Sequence, residues 1–329
     1  MVTWKCNAKC IMCDAWKKKD MDELNIDEID DIFRQLGKMD AVRIGGGEPF
    51  MRTDIAEIIN IVQKRTNPGI IHITTNGLLD KQVVDVIEKA EKTDNLHIKI
   101  SIDDIGEENN KIRGVNNAFE RSMITLKKLA PLREKYGFFL GVNQTIISSD
   151  NAKRYKELKK ICGEYGVKLY VVLAYNDSAL YKTEEHIDML PKKEGYFNAF
   201  GEFTKTELEN LLELLEKDAK SMDNIVEKIV KKYYLKGLNN RILKGSSRPN
   251  PPCTALRSHL RILPDGSIPI CLFNSTIIGS LRKNSFKDIW FGKDIEKYRK
   301  IVNKCSGCWA ECEIVPNAVY CGDIVKGII

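Results

Sequence analysis

Residues 6–13 read Cys-Asn-Ala-Lys-Cys-Ile-Met-Cys, a C-x3-C-x2-C triplet directly after a short β-rich run at 2–5. Three thiols on one eight-residue loop can converge on a single face of an iron–sulfur cubane. They cannot supply its fourth ligand, so one iron would stay open to an exogenous molecule. Structural zinc sites close with four ligands, often at C-x2-C or C-x2-C-H spacings, and no nearby histidine completes such a set. Thiolate-only ligation suits iron–sulfur chemistry instead. The bland alternative is three unrelated buried cysteines.

Outward from this loop, β-rich runs alternate with helix-period segments. Candidate strands fall at 2–5, 41–44, 70–75, 97–103, 138–147 and 168–174, and candidate helices at 26–36, 55–65, 81–89, 118–136 and 152–165. Asp150 and Asn151 are candidate caps for the last helix and Gly166 its candidate stop. Six strands alternating with helices imply parallel crossovers, in an open doubly wound sheet or a barrel. Either architecture gathers ligands at the carboxyl ends of its strands. Those ends carry Gly45-Gly46-Gly47-Glu48-Pro49, Thr74-Thr75-Asn76-Gly77 and Ser101-Ile102-Asp103, with Asn143 inside the fifth strand. Taken alone, the glycine triplet reads equally well as a tight turn, and the others as ordinary strand-end polar residues.

From about Asp177 to Arg248 the rhythm changes to amphipathic helix, at 208–215 and 225–235, read as a cover packed on the core or as a lid. The stretch 245–252 (GSSRPNPP) is a linker by composition. Beyond it, 259–263, the turn Pro264-Asp265-Gly266 and 267–272 predict a β-hairpin, followed by short helices at 285–290 and 294–302. The expected division is a core at 1–176, a helical insert at 177–248 and a cysteine-rich domain at 249–329.

The 329 residues suffice for a full core, and 43% hydrophobic with 30% charged residues is ordinary for a globular chain. A net charge of +6 with Lys and Glu interspersed describes a solvated surface, so no nucleic-acid partner is expected. No segment reaches the roughly 18–20 apolar residues of a membrane span, and the first residues, MVTWKCNAKC, lack the apolar stretch of a secretory signal. The expected compartment is therefore cytoplasmic. There, closely spaced thiols bind metal more readily than they form a disulfide framework.

The triplet followed by Gly45-Gly46-Gly47-Glu48-Pro49 after the second strand resembles the radical S-adenosylmethionine (SAM) superfamily. The resemblance implies a partial (β/α)6 barrel. It also implies a [4Fe–4S] cluster on Cys6, Cys10 and Cys13 whose open iron is chelated by the amino and carboxylate groups of SAM. Gly45, Gly46, Gly47 and Glu48 would then line the SAM ammonium, an exposed Glu48 carboxylate adding attraction. Asn76, Ser101, Asp103 and Asn143 would take the polar strand-end positions facing SAM. Met12 stands where the family often has an aromatic near adenine, and the flexible thioether can pack on a ring edge. Arg113, in Ile112-Arg113-Gly114, resembles a recurrent segment after the fourth strand and receives no contact. With five residues ahead of Cys6, an N-terminal peptide-recognition domain is not expected.

Distal cysteines continue the resemblance. Cys253, Cys271, Cys305 and Cys308 give C-x17-C, a gap, then C-x2-C, with Leu263-Pro264-Asp265-Gly266 before the second cysteine and Asp288-Ile289-Trp290 before the pair. This resembles the auxiliary-cluster modules called SPASM and twitch, and implies one closed auxiliary [4Fe–4S] cluster on those four residues. A full SPASM module has seven cysteines, whereas six occur here, leaving Cys312 and Cys321 spare, substitute or part of an incomplete second cluster. A zinc knuckle between Cys305 and Cys321 is the alternative.

What the family implies is one-electron reductive cleavage of SAM to a 5′-deoxyadenosyl radical that takes hydrogen from substrate, with a flavodoxin or ferredoxin as reductant. An auxiliary cluster favours net oxidation. Epimerisation would need a hydrogen donor, for which Cys162, Cys312 and Cys321 are weak candidates. The leading expectation is an oxidoreductase or epimerase acting on a small polar molecule of the sugar or aminocyclitol kind. The alternatives are a maturase for a ribosomally made peptide and a non-catalytic iron–sulfur or zinc scaffold.

Overall fold

The computed structural model describes residues 1–18, 22–174 and 201–326. Strands β1 (Ala41–Ile44), β2 (Ile70–Thr75), β3 (Leu96–Ser101), β4 (Phe139–Ile146) and β5 (Lys168–Leu173) form one parallel sheet in chain order. The crossovers are helical: α1 (Ile26–Leu36) before β1, α2 (Ile55–Thr66), α3 (Asp80–Lys89), α4 (Glu107–Arg113) with α5 (Ala118–Tyr136), and α6 (Ser149–Lys153) with α7 (Tyr155–Glu164). Sequence alternation decides which face is covered. Ile71, Ile73, Ile98, Ile100 and Val142 are fully buried with Ile58, Val62, Val83, Ile87, Leu126 and Leu158 of the helices. Each such side chain contributes about 1.5–3 kcal/mol by leaving water. The intervening residues point to the other, concave face, as in a partial α/β barrel.

Two boundaries differ from expectation. The run 2–5 is not a full strand: Thr3 makes one parallel bridge to Gly46. Its backbone is spent on the glycine turn beyond β1, through Val2 N–H to Gly45 O (2.8 Å), Gly47 N–H to Thr3 O (2.9 Å) and Glu48 N–H to Lys5 O (2.8 Å). The helix expected at 152–165 is divided at Arg154, and its cap is Ser148, which accepts from Asn151 N–H. Asn151 itself turns inward, accepting from Ile147 N–H at 2.8 Å. Gly166, at φ 61°, does stop α7, with Val167 N–H returning to Cys162 O at 3.0 Å.

Within the expected insert, α8 (Lys205–Lys220) and α9 (Ile225–Leu243) are longer than their sequence periods, and residues 177–200 lie outside the described residues. Their capping residues, Thr204 with Glu207 and Asn224, set the starts. Leu211, Leu212, Leu215, Tyr234 and Leu238 pack on Val171 and Leu173 of β5 and on Trp309 from the cysteine-rich region. Trp309 is 1% exposed and donates Nε1–H to Tyr234 O at 2.9 Å. Its ring occupies the space a side chain at Gly237 would need: a Cβ there would sit 1.8 Å from the indole.

The C-terminal hairpin forms with a different partner. The 264–266 turn is present, with Leu263 N–H to Ser267 O at 2.8 Å and Gly266 at φ 84°. However, β6 (Ser267–Cys271) pairs antiparallel with β7 (Asn274–Ser280), and 259–263 is not a strand. The intervening Leu272-Phe273 is buried and apolar, so it carries no turn signal, while His259 and Arg261 are drawn to a buried Glu313. Helices α10 (Phe286–Phe291), α11 (Ile295–Asn303), α12 (Glu311–Tyr320) and α13 (Asp323–Lys326) follow. Arg282 ties this region to α1, with Nε 2.8 Å from Glu28 Oε1. Among the described residues no helix is long and apolar enough to cross a membrane.

Candidate functional site

A cavity of about 340 Å³ opens on the concave face at the carboxyl ends of the strands. Cys6, Cys10, Cys13, Met12, Gly45, Gly46, Gly47, Glu48, Asn76, Ser101 and Asn143 all line it. The cysteine loop is held in place by Lys9 N–H to Arg113 O (2.9 Å) and Ile11 N–H to Ile112 O (3.0 Å). Ala8 and Ala15 donate backbone N–H groups to Cys6 and Cys13, and Arg113 Nη1 lies 3.7 Å from Cys10 Sγ. Burial pushes the Cys6 thiol up to about 11 and Cys13 up to about 12, with neighbouring thiols adding to the rise. Three thiolates here would be poorly compensated by Arg113 alone. A cationic iron core supplies that missing charge, so the donor set fits a cluster. Among the described residues no three His, Cys, Asp or Glu side chains gather tightly enough for a single metal ion.

The glycine turn is shaped by close approach rather than by unusual dihedrals. A Cβ on Gly46 would lie 2.3 Å from Thr3 O, and one on Gly47 2.3 Å from Lys5 O, whereas Gly45 faces open space. Glu48 corrects the expectation of an exposed carboxylate. It is 1% exposed and accepts from Asn76 N–H (2.7 Å), Thr75 Oγ1 (2.8 Å) and Phe50 N–H (3.2 Å). Burial pushes its carboxyl up to about 7 against these donors. Asn76 is likewise committed, donating Nδ2–H to Asn7 Oδ1 at 2.7 Å and so joining β2 to the cysteine loop.

Asp103 does not line the cavity. It is fully buried behind it, 2.6 Å from Arg113 Nη2, and it accepts from Thr145 N–H at 2.8 Å. Its carboxylate therefore holds Arg113 against Cys10, a contact between residues too far apart in the chain to be assigned from sequence. Alternation signalled further lining residues that strand-end reading passed over: His72, Lys99 and Val172 stand between buried apolar residues, and Arg43, Thr74 and Thr145 continue the same every-second-position pattern. Burial, with Arg43 and Lys99 nearby, pushes His72 down to about 2, and burial pushes Lys99 down to about 8.

The second group of thiols assembles from separated segments. Backbone N–H groups of Ala255, Phe273, Gly307 and Ala310 donate to Cys253, Cys271, Cys305 and Cys308, each from two residues downstream. Burial raises all four thiols, Cys253 up to about 11, and Cys271 and Cys308 are raised further by the Glu313 carboxylate and then by neighbours within the set. Cys312 and Cys321 lack this donor. Cys312 lines the main cavity with Arg261 Nη2 at 4.0 Å, and Cys321 donates to Ala318 O at 3.9 Å. Cys162 is 1% exposed in the barrel core and does not line the cavity, because α7 turns it toward Leu158 and the sheet. Beside the second group, Glu313 is 2% exposed, with His259 Nε2 at 2.9 Å and Arg261 Nε at 3.1 Å. Burial opposes its ionisation, but the Arg261 guanidinium and the hydrogen bond from His259 overcome it and hold the carboxyl down to about 2.

Residues 2–146 match the family model of the Radical SAM superfamily, and residues 253–309 that of the SPASM iron–sulfur cluster-binding domain, together more than half of the chain. Mycofactocin maturase MftC of Mycolicibacterium smegmatis is 27% identical over 174 residues, 52% of this chain and 42% of the maturase. The chain thus spans less than half the length of that relative. GTP 3′,8-cyclase of Aquifex aeolicus is 25% identical over 317 residues, covering 88% of this chain and 87% of the cyclase. The solved structure of native anSMEcpe with bound AdoMet and Kp18Cys peptide superposes with a TM-score of 0.57 at 16% identity, over 90% of this chain and 80% of that one, a likeness of fold.

Proposed function

The chain belongs to the radical SAM superfamily and carries a C-terminal iron–sulfur cluster-binding domain, and we infer that it oxidises a polar substrate held between these two parts. Its cofactors are a SAM-binding [4Fe–4S] cluster, SAM and auxiliary iron–sulfur. When bound, they supply a 5′-deoxyadenosyl radical to remove hydrogen from substrate and an acceptor for the remaining electron. The observation that carries this reading is a single cavity lined by Cys6, Cys10 and Cys13 and also by Glu311 and Cys312 of the cysteine-rich region.

Cys6, Cys10 and Cys13 hold the first cluster, and Cys253, Cys271, Cys305 and Cys308 the auxiliary one. N–H donation from two residues downstream, to Cys6 and Cys13 and to all four distal thiols, supports both sets, Cys10 taking the Arg113 guanidinium instead. Gly45 leaves room for SAM against the turn. Ser101 and Asn143, register partners on β3 and β4, offer it hydroxyl and amide groups. Met12, Trp16 and Val172 exclude water from the reacting region. The division at 1–176, 177–248 and 249–329 and reduction by a flavodoxin or ferredoxin belong to the same proposal. The half-enclosed space, with His72, Lys99, Ser101 and Asn143 in its lining, favours a small polar substrate such as a sugar or aminocyclitol. Peptide maturation is the second reading, favoured by the similarity to a maturase. Redox-neutral epimerisation would draw on Cys312, which among the three candidate thiols lines the cavity.

Anaerobic, reduced, cluster-loaded enzyme is expected to convert SAM to 5′-deoxyadenosine; no product would sink the enzymatic reading. Deuterium passing from a labelled sugar-like substrate, rather than from a peptide, into 5′-deoxyadenosine separates the two substrate classes.

A further inference from the structure

Below the hydroxyl and amide positions of the concave face lies a ring of different chemistry. Arg43 on β1 and His72 on β2 are register partners, and Lys99 on β3 pairs with Thr74, the next inward residue above His72. All three line the cavity. Gly141, the register partner of Lys99 on β4, adds no side chain, so the three basic groups share one face of the floor. Lys99 Nζ lies 3.7 Å from the Tyr170 ring centre, a contact with a ring face in place of an ion pair. Both ring nitrogens of His72 are buried without a hydrogen-bond partner.

Among the described residues, Arg43 and Lys99 have no ion-pair partner. Glu311 faces the same space from α12 but forms no ion pair with them. A guanidinium, an ammonium and an imidazole thus meet in a half-enclosed space, Arg43 exposed and Lys99 half-buried, with no carboxylate in ion-pair contact with either cation. The mutual repulsion shows at His72, depressed by burial and then by Arg43 and Lys99, and at Lys99, depressed by burial and by Arg43 while the carboxylates of Glu311 and Glu227 act against that. Arrangements of this kind are stabilised when an anion enters, because charge-assisted hydrogen bonds then form in a low-dielectric site.

We propose that Arg43, His72 and Lys99 form an anion subsite on the floor of the cavity, and that the substrate carries a phosphate or carboxylate group that docks there. This rests on the functional reading above and deepens it. The neutral imidazole of His72 would donate one hydrogen bond, Arg43 a forked pair and Lys99 a point charge. The reacting carbon would then be held between the anchored anion and the SAM-facing residues Ser101 and Asn143.

The test uses cluster-loaded enzyme saturated with SAM, titrated anaerobically with inorganic phosphate and, separately, with succinate, and followed by calorimetry. Saturable binding of one or both is expected, weakened roughly tenfold or more by Arg43→Gln and by Lys99→Gln, with Lys99→Arg retaining most of it. Preference for phosphate would assign a phosphoryl group and preference for succinate a carboxylate. Iron content and circular dichroism of the variants identify a folding failure, in which case Lys99→Arg and His72→Gln carry the comparison. No saturable binding by the wild type, or equal binding by the folded variants, overturns the subsite. Separately, wild-type enzyme that binds the anion but yields no 5′-deoxyadenosine would overturn the functional reading and leave the subsite standing.

Discussion

Two buried glutamates stand beside the two groups of thiols, and their surroundings push them in opposite directions. Glu48, at the first group, is wrapped by neutral donors from Thr75, Asn76 and Phe50, and its carboxyl rises to about 7. Glu313, at the second, is clasped by Arg261 and His259, and its carboxyl falls to about 2. The first region is therefore built of groups reluctant to carry negative charge until a cation arrives. The second supplies its own cation, Arg261. The same division appears in the chain: one contiguous loop with an open face toward the cavity, against four thiols gathered from three separated segments.

The harshest way to break this comparison is to remove the thiols. Cys6→Ala, Cys10→Ala or Cys13→Ala is expected to reduce 5′-deoxyadenosine formation to background, measured by chromatography of quenched reactions. Cys271→Ala or Cys308→Ala is expected to cut bound iron by about half and abolish substrate turnover, with 5′-deoxyadenosine formation falling less. Equal effects of the two sets on SAM cleavage would erase the distinction between an open and a closed cluster.

Next come the glutamates. Glu313→Gln leaves Arg261 buried beside a neutral partner and should cost about 3–5 kcal/mol in urea unfolding at pH 7. Because the folded carboxyl titrates near 2 and the unfolded one near 4.5, that stabilisation is present above pH 4.5 and is lost as pH falls toward 2. Glu48 runs the other way. Its folded carboxyl keeps a proton up to about pH 7 that the unfolded chain releases near 4.5. Stability of the iron-free chain should accordingly decline by about 3 kcal/mol between those values and level off above them. Glu48→Gln should flatten that slope, read from unfolding midpoints at pH 5 and 7.5.

A smaller effect tests how Arg113 is positioned. Asp103→Asn removes the charge that holds the guanidinium against Cys10, and should lower the rate of SAM cleavage about tenfold, with a shifted electron paramagnetic resonance signal of the reduced cluster. Last, Cys321→Ser should leave iron content unchanged and move stability by no more than about 0.5 kcal/mol. Loss of iron would bring Cys321 into the second set.

Features with local causes were legible in the sequence. Helix α1 follows from an Asn25–Glu28 capping box and apolar residues at helical spacing, and the 26–36 boundaries coincide with the structure. The cysteine triplet and the glycine turn were legible for the same reason. What the sequence hid depends on partners far along the chain. Glu48 is buried because Thr75 and Asn76 arrive from the neighbouring strand end. The hairpin partner differs from the expected 259–263 because Leu272 and Phe273 form a buried turn against Cys308 and Ala310. Arg43, His72 and Lys99 look, in one dimension, like the solvent face of alternating strands, and only closure of the sheet turns that face inward.

Trp309 and Arg282 fasten the cysteine-rich region at two distant points, one locked over Gly237 and hydrogen-bonded to Tyr234, the other paired with Glu28 on the first helix. A span supported at both ends does not swing. Electron tunnelling falls off exponentially with separation, so a hinged second electrode would deliver a rate that fluctuates with every excursion. If the auxiliary cluster takes the electron as proposed, these two fastenings would hold it at one gap, its timing set by the masonry of the fold rather than by a docking event.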